Sequence, residues 1–191
     1  MVFRAQIVFV TSHVSDETPS ILKSQLRELL RREARSGDSY AVRDAVADWI
    51  RRHPQVRTIA TFAALPDEVD LTELVTLFPE KCWLFPRVDG EGVCFHASTD
   101  PTRDLVPGAF GILEPRADSP IVPIDEIDAF LCPGMAFDRQ GGRLGRGKGF
   151  YDRLLSQART DAHKIGVAFP SQIVPNTHCE PHDIPMDEVI S

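Results

Sequence analysis

Thirteen consecutive positions, residues 141 to 153, hold five glycines, three arginines, a lysine and an aspartate: Gly141-Gly142-Arg143-Leu144-Gly145-Arg146-Gly147-Lys148-Gly149-Phe150-Tyr151-Asp152-Arg153. A cradle for polyphosphate is built from such residues. Glycine lets backbone N–H groups turn toward an anion and approach it closely. A helix that begins just after the loop adds unpaired N–H donors and the positive end of its dipole. Arg143, Arg146, Lys148 and Arg153 supply mobile countercharge. The segment is not a Walker A loop, because Lys148 is followed by Gly149 and no hydroxyl stands where such a loop holds magnesium. Nor does it fit a dinucleotide fingerprint, which follows a strand directly and carries few cations. The plain alternative is a glycine-rich surface loop with solvated charges, and the density of cations favours a functional loop.

A second row of cations stands near the N-terminus. Lys23, Arg27, Arg31 and Arg35 recur every four residues, which stacks them on one helix face. Alone such a row reads as a solvated face; beside a phosphate loop it becomes a candidate binding surface. Cys82, Cys94, Cys132 and Cys179 are widely spaced with no C-x-x-C pair, so neither a zinc site nor a disulfide framework is indicated. His96, His163, His178 and His182 have no spacing that specifies a metal or a nucleophile relay.

The elements that must position these residues belong to one domain. A chain of 191 residues with 42% hydrophobic content suits a single core, and reduced cysteines suit the cytoplasm. A net charge of −7 argues against non-specific nucleic-acid binding, which relies on surplus Lys and Arg. Ile7 to Val10 is an apolar run too short for a membrane span or a convincing signal sequence, and residues 1–20 read either as a strand or as an N-terminal extension.

Helix and strand signals alternate along the rest. Thr18 and Pro19 open a helix with an apolar stripe at Leu22, Leu26, Leu29 and Leu30, ended by Gly37. A second helix covers 40–52, followed by a buried strand over 56–62. Asp70 and Glu73 look like a capping pair for a short helix through Phe78; Cys82 to Phe85 is a strand that Pro86 breaks. Asp89-Gly90 suggests a hairpin into Val93–His96, and residues 98–123 read as surface excursions. Ala129 to Cys132 is a strand leading toward the glycine loop. Leu154, Leu155 and Ala158 continue the helix after it, Ile165 to Phe169 is a further strand, and Val189-Ile190 is a short last one. The expected fold is α/β: three layers, α/β/α, around a mostly parallel sheet.

Pro133-Gly134-Met135-Ala136-Phe137-Asp138 followed by Arg143 to Asp152 resembles the signature of the 5-formyltetrahydrofolate cyclo-ligase family, also called 5,10-methenyltetrahydrofolate synthetases. Lys23 and Arg27 at K-x-x-x-R spacing, Asp67-Glu68, Gly111-Ile112-Leu113-Glu114-Pro115 and Asp183 to Glu188 support the resemblance, which places the family's domain at 21–191. It implies a fold like that of the NagB/RpiA/CoA-transferase group and an ATP- and Mg2+-dependent cyclisation of 5-formyltetrahydrofolate to 5,10-methenyltetrahydrofolate, releasing ADP and phosphate. In that reaction the formyl oxygen takes the γ-phosphoryl group, N10 adds to the activated carbon, and phosphate leaves. The implied partner is that small-molecule folate, bound by a monomer without nucleic acid or membrane.

By the resemblance, Lys23, Ser24, Gln25, Leu26 and Arg27, with Arg143, Leu144, Gly145, Arg146, Gly147, Lys148, Gly149, Phe150 and Tyr151, fall on ATP-binding segments. Ala63, Glu68 and the run Arg146 to Phe150 fall on folate-binding positions, and Asp152 and Asp183 on magnesium positions. Arg146 and Lys148 are the candidates for holding the γ-phosphate against the formyl oxygen. Glu114 stands in a proline-bounded loop as a further acid that either approaches substrate or is simply exposed. Phe150 departs from the tyrosine usual in the family, removing one hydroxyl. Two other readings stay open: a relative that binds reduced folate or nucleotide without turnover, and an ATP-dependent ligase or kinase acting on another substrate.

Overall fold

The structure is a computed structural model that describes residues 18–32, 37–90 and 92–191; Ile7–Val10 and Arg35 lie outside the described residues. Helices α1 (Pro19–Arg32) and α2 (Ser39–Arg52) precede strand β1 (Thr58–Ala60), and α3 (Glu73–Leu77) leads to β2 (Cys82–Asp89) and β3 (Gly92–Ala97). A single turn, α4 (Pro101–Asp104), is followed by the short strands β4 (Leu105–Pro107), β5 (Leu113–Pro115) and β6 (Ile121–Val122). Then come β7 (Ala129–Cys132), β8 (Ala136–Phe137), β9 (Arg143–Leu144), α5 (Phe150–Leu155), β10 (His163–Val167) and β11 (Glu188–Ile190).

Among the described residues the central sheet has seven strands in the order β11-β10-β7-β1-β2-β3-β6. Neighbours from β11 to β2 pair in parallel, and β3 and β6 add an antiparallel edge. Alternation along each strand divides the core in two. Ile59, Trp83, Phe85, Leu131, Ile165 and Val167 meet Val46, Trp49 and Ile50 of α2 and Leu74 of α3 on one face. Ala60, Leu84, Phe95, Phe130 and Cys132 meet Leu154 and Leu155 of α5 on the other. The result is the three-layer arrangement expected. Among the described residues no helix is long and apolar enough to cross a membrane.

Several local expectations differ from what is observed. Asp70 and Glu73 do not cap α3 as a pair, since Asp70 Oδ1 accepts from Thr72 N at 2.9 Å and Thr72 stands at the N-cap. The stretch 98–123 is not only surface excursion, since β4 pairs with β5 and β6 joins the central sheet. The strand expected over 56–62 is three residues long, β1. Pro86 does not end β2, which continues to Asp89. Leu84 O accepts from Thr61 N on the β1 side of β2, and Trp83 O accepts from Ser98 N on the β3 side, so even-numbered residues present their backbone toward β1. Beyond Leu84 β1 is no longer paired there, and the N–H that proline lacks faces a side with no ladder to complete. The helix after the glycine loop ends at Leu155, short of Ala158. Ser156 Oγ and Gln157 Nε2, each 2.9 Å from Arg153 O, take the carbonyl that another turn would have used.

The glycine loop hangs from a hairpin rather than directly from the main sheet. β8 pairs antiparallel with β9, and Asp138 N donates to Gly142 O at 3.0 Å across the turn. Helix α1 docks on this hairpin, with Leu26 and Leu30 packed against Met135, Ala136 and Leu144. Asp138, 4% exposed, ties the turn to the C-terminal segment. Its Oδ1 accepts from Gln140 N (3.0 Å) and Gly142 N (2.9 Å), and its Oδ2 from Thr177 N (2.9 Å) and Thr177 Oγ1 (2.7 Å). Gly141 has φ +86°, and a Cβ there would stand 2.3 Å from Met186 O, so only glycine fits.

Candidate functional site

One cavity of about 1080 Å³ opens beyond the carboxyl ends of β1 and β7, where the chain turns outward in opposite directions along the sheet. Open α/β sheets place their ligand sites at such a crevice. Phe62, Ala63, Leu65 and Glu68 after β1 line it, as do Pro133 and Gly134 after β7 and Gly145 to Leu154 of the glycine loop and α5. Lys23 and Arg27 of α1 and Glu180 and Asp183 of the C-terminal segment complete one wall. Pro86 and Val88 of β2, Val93 and Phe95 of β3, and Ile112 and Glu114 complete the other.

The first wall is a set of cations already held by acids. Lys23, 5% exposed, donates to Glu180 Oε2 at 2.9 Å and forms a closer bond to Asp183 Oδ2. Burial pulls the Lys23 ammonium toward neutrality, but hydrogen bonds and charge from Asp183 and Glu180 outweigh it and hold its pKa above the ordinary value. For Asp183, burial acts upward; Lys23 and the Glu180 N–H outweigh it and leave the carboxyl below the usual range. Asp152 accepts from Arg143 at 3.0 Å and from Ile184 N at 3.5 Å, which sets the two aspartates beside one another through adjacent residues 183 and 184. Arg27 Nε donates to Gly145 O at 2.9 Å, joining α1 to the glycine loop. Lys148 is exposed at the loop's tip, where its carbonyl accepts from Arg153 at 3.0 Å.

Arg146 reaches back across the cavity mouth to Asp67 Oδ1 (2.6 Å) and Glu68 Oε1 (3.1 Å). Glu68 uses its other oxygen to accept from Leu65 N at 3.1 Å. Burial pushes the Glu68 carboxyl above its ordinary value, against that N–H and the Arg146 charge. Two polar groups in the wall have no partner among the described residues: the Tyr151 hydroxyl and Arg143 Nε. The Arg143 guanidinium lies 5.2 Å from the Tyr151 ring centre, and burial raises the phenol's pKa well above normal, so Tyr151 stays protonated.

Most of the residues singled out from the sequence meet in this one cavity. Lys23, Arg27, Ala63, Glu68, Arg143, Gly145 to Asp152 and Asp183 all line it. Four lie elsewhere. Leu26 and Leu144 pack against each other's neighbours between α1 and the hairpin, and Ser24 and Gln25 are exposed on α1 outside the cavity wall. The row of four cations also divides: Lys23 and Arg27 reach the cavity while Arg31 is exposed outside it. Sequence reasoning passed over Glu180, which shares Lys23, and Asp138, which anchors the loop. An acid three residues before Asp183 and an acid just ahead of Gly141-Gly142 were the available signals.

Among the described residues no group of three or more His, Cys, Asp or Glu is arranged to hold a metal by itself. Two carboxylates that line the cavity, Asp152 and Asp183, are of the kind magnesium takes. That ion keeps several waters and takes one or two carboxylates together with phosphate oxygens.

The family model of 5-formyltetrahydrofolate cyclo-ligases matches residues 17–191. The 5-formyltetrahydrofolate cyclo-ligase of Mycolicibacterium smegmatis is 33% identical over 181 residues, covering 88% of this chain and 93% of that one. That of Escherichia coli K12 is 30% identical over 146 residues, 70% of this chain and 77% of the other. Among solved structures, the 5,10-methenyltetrahydrofolate synthetase of Aquifex aeolicus superposes with a TM-score of 0.74 at 32% identity, covering 88% of this chain and 89% of that one. A Mycoplasma pneumoniae synthetase at 22% identity shares the fold, with a TM-score of 0.70 over 88% of this chain and 97% of the other.

Proposed function

The chain belongs to the 5-formyltetrahydrofolate cyclo-ligase family, and from that premise we propose that it uses MgATP to close 5-formyltetrahydrofolate into 5,10-methenyltetrahydrofolate, releasing ADP and phosphate. The observation that carries the reading is a single cavity with two chemically different walls. The wall from α1, the glycine loop and the C-terminal segment is charged, and the wall from β2 and β3 is apolar. A reaction that joins a polyphosphate to a flat heterocycle asks for both.

Transfer of a phosphoryl group requires positioning and charge stabilisation rather than a covalent step through the protein. Lys23, Arg27 and Arg143 are the residues to hold the outer phosphates. Arg146 and Lys148 hold the transferring group against the formyl oxygen, Arg146 through a two-pronged guanidinium and Lys148 as a point charge. Arg143 Nε and the Tyr151 hydroxyl are buried in this wall with no hydrogen-bond partner among the described residues. Asp152 and Asp183 are the residues to hold magnesium, which when bound neutralises charge on the phosphates. Glu68 and Ala63 border the folate position, and Glu68 there sets the direction of Arg146.

The test follows methenyl-folate absorbance and ADP release together when the protein is mixed with 5-formyltetrahydrofolate and MgATP, each component being omitted in turn. Both products should form in step. Lys148→Ala should lower turnover by about 100- to 1000-fold while shifting stability by no more than about 0.5 kcal/mol, since Lys148 is exposed. Binding of both ligands without product would leave a binding protein, and ADP release with another acceptor alone would make it a different kinase or ligase.

A further inference from the structure

The antiparallel edge of the sheet has two faces, and the cavity uses only one of them. Strand alternation sends Val93 and Phe95 of β3 into the cavity wall and turns Cys94 and His96 to the opposite face. Two residues apart is a ligand spacing only where the segment is a strand, because that period returns both side chains to one side. There Cys94 Sγ and His96 Nε2 stand 3.3 Å apart.

The proton on His96 can be placed. Its Nδ1 lies 2.7 Å from Ser119 O, and a carbonyl can only accept, so Nδ1 carries the hydrogen and Nε2 turns its lone pair toward the sulfur. The residue is 2% exposed, so packing and Ser119 together hold the ring in that pose. A histidine that binds a metal through one nitrogen is held in the same way, by a carbonyl or carboxylate on the other. Cys94 is only partly buried, so an ion in solution can reach the pair. Zinc–sulfur and zinc–nitrogen bonds of about 2.3 and 2.0–2.1 Å span the observed 3.3 Å at an S–Zn–N angle of about 100°, close to tetrahedral.

The surrounding charge suits a cation better than a bare thiolate. Burial pushes the Cys94 thiol above its ordinary value; Asp89 and Glu114 add to the rise, and Arg87, paired opposite Cys94 on β2, acts against it. Two carboxylates against one guanidinium leave a negative field at the sulfur, and the field that disfavours an anion there favours a metal ion.

We propose that Cys94 and His96 form a binding site for a thiophilic divalent metal ion of the zinc class, on the face of β3 turned away from the cavity, with water in the remaining positions. Thiolate and imidazole together select such ions over magnesium. On binding, the Sγ–H bond breaks, the sulfur's electron pair forms the bond to the metal, and the proton leaves to solvent; Nε2 donates its lone pair without a change of protonation. A site with two protein ligands agrees with the lack, among the described residues, of any group of three or more metal-binding side chains. The inference does not depend on the reaction proposed above.

The test titrates the reduced, metal-free protein with Cd2+ and with Zn2+ near neutral pH, in saturating Mg2+. Cadmium should give a thiolate-to-metal absorbance band that saturates near one equivalent, and zinc should release about one proton per ion into a weakly buffered indicator. Cys94→Ala should abolish the band and weaken zinc binding by at least about 10-fold, and His96→Gln should weaken both ions by a similar factor. Cys82→Ala and Cys179→Ala, which remove the two exposed thiols, should change neither. Should His96→Gln fail to fold, 15N NMR of the wild type carries the comparison: the His96 Nε2 resonance should move on zinc addition while Nδ1 keeps its proton. A wild type without the band, or a band that survives Cys94→Ala or disappears in Cys179→Ala, overturns the proposal. So does zinc affinity within about 3-fold of wild type in His96→Gln, or an unmoved Nε2 resonance, since the contact is then only an S–H···N hydrogen bond.

Discussion

Replacing Asp138 by asparagine isolates the anchor of the glycine loop without touching a group that meets ligand. The carboxylate accepts four hydrogen bonds, from Gln140 N, Gly142 N, Thr177 N and Thr177 Oγ1, and both Asp138 and Thr177 are buried. An amide presents one oxygen and one NH2 group. With the oxygen turned to Gln140 and Gly142, the NH2 meets Thr177: the threonine hydroxyl can rotate and accept, but the Thr177 N–H is left facing another donor. One unpaired buried N–H costs about 1–3 kcal/mol, and the remaining bonds lose the strength that ionisation gives them. The sum is about 3 kcal/mol, which for a chain of this length lowers the thermal midpoint by about 6–12 °C. Thermal and urea unfolding followed by circular dichroism measure both quantities.

The same substitution has a pH signature. Burial pushes the Asp138 carboxyl up, and the bonds from Thr177, Gly142 and Gln140 outweigh it, so the folded group titrates below the ordinary carboxylate range. A depressed folded pKa contributes stability that is present above the unfolded value, about 3.9, and is lost as pH falls through the folded one. The gap between wild type and Asp138→Asn should therefore be full at neutral pH and narrow below about pH 4. A midpoint within about 1 °C of wild type at neutral pH, or a gap that stays constant into acid, would refute the hydrogen-bond reasoning.

Two further substitutions test neighbouring parts of the same frame. Gly141→Ala should lower stability by about 2–3 kcal/mol, because a Cβ would meet Met186 O at 2.3 Å on top of the strain of a positive φ; Gly90→Ala, with φ +56° and nothing within 4 Å, should lose only about 1 kcal/mol in the same unfolding assay. Lys23→Met strands Glu180 and Asp183 and should cost about 2–4 kcal/mol at neutral pH as well as weakening nucleotide binding. Its pH profile has two limbs. The raised Lys23 pKa gives stability present below about 10.4 and lost as pH rises through the folded value, and the depressed Asp183 pKa gives stability lost as pH falls through its own. The difference from wild type should thus be a plateau between about pH 5 and pH 10 that declines on both sides, and a slope in the middle would show that another group carries the effect.

What the sequence made legible was whatever short-range chemistry decides. Unbroken apolar runs at Ile59–Ala60, Trp83–Leu84–Phe85 and Ala129–Cys132, set between helical patterns, are enough to predict a sheet covered on both faces, and the density of glycine and arginine after residue 141 is enough to mark the loop. The misreadings each turn on partners distant in the chain. Pro86 looks like a strand end until it is known that β1 stops pairing at Leu84. Leu26 and Leu144 stand among binding residues in sequence, yet a helix and a hairpin have two sides, and these two side chains take the side that holds α1 to β8 and β9. The work of Asp138 depends on Thr177, 39 positions away, and that of Glu180 on Lys23, 157 away.

A cation cluster of this density would repel itself and wander if left bare, and the structure answers that with carboxylates rather than with distance. Lys23 sits on Asp183 and Glu180, Arg143 on Asp152, and Arg146 on Asp67 and Glu68. Each acid fixes the direction of a side chain that would otherwise lose rotamer freedom on meeting phosphate, which makes the site preorganised. In the proposed reaction a phosphate oxygen replaces a carboxylate oxygen at each cation, an exchange of like for like in charge. The carboxylates so released from Lys23 and Arg143 are Asp183 and Asp152, the pair suited to magnesium. Nucleotide and metal then favour each other's binding through side chains that change partners, and the coupling is reciprocal by thermodynamic necessity. The acids that neutralise the loop before binding are for that reason part of the site and not merely its counterweight.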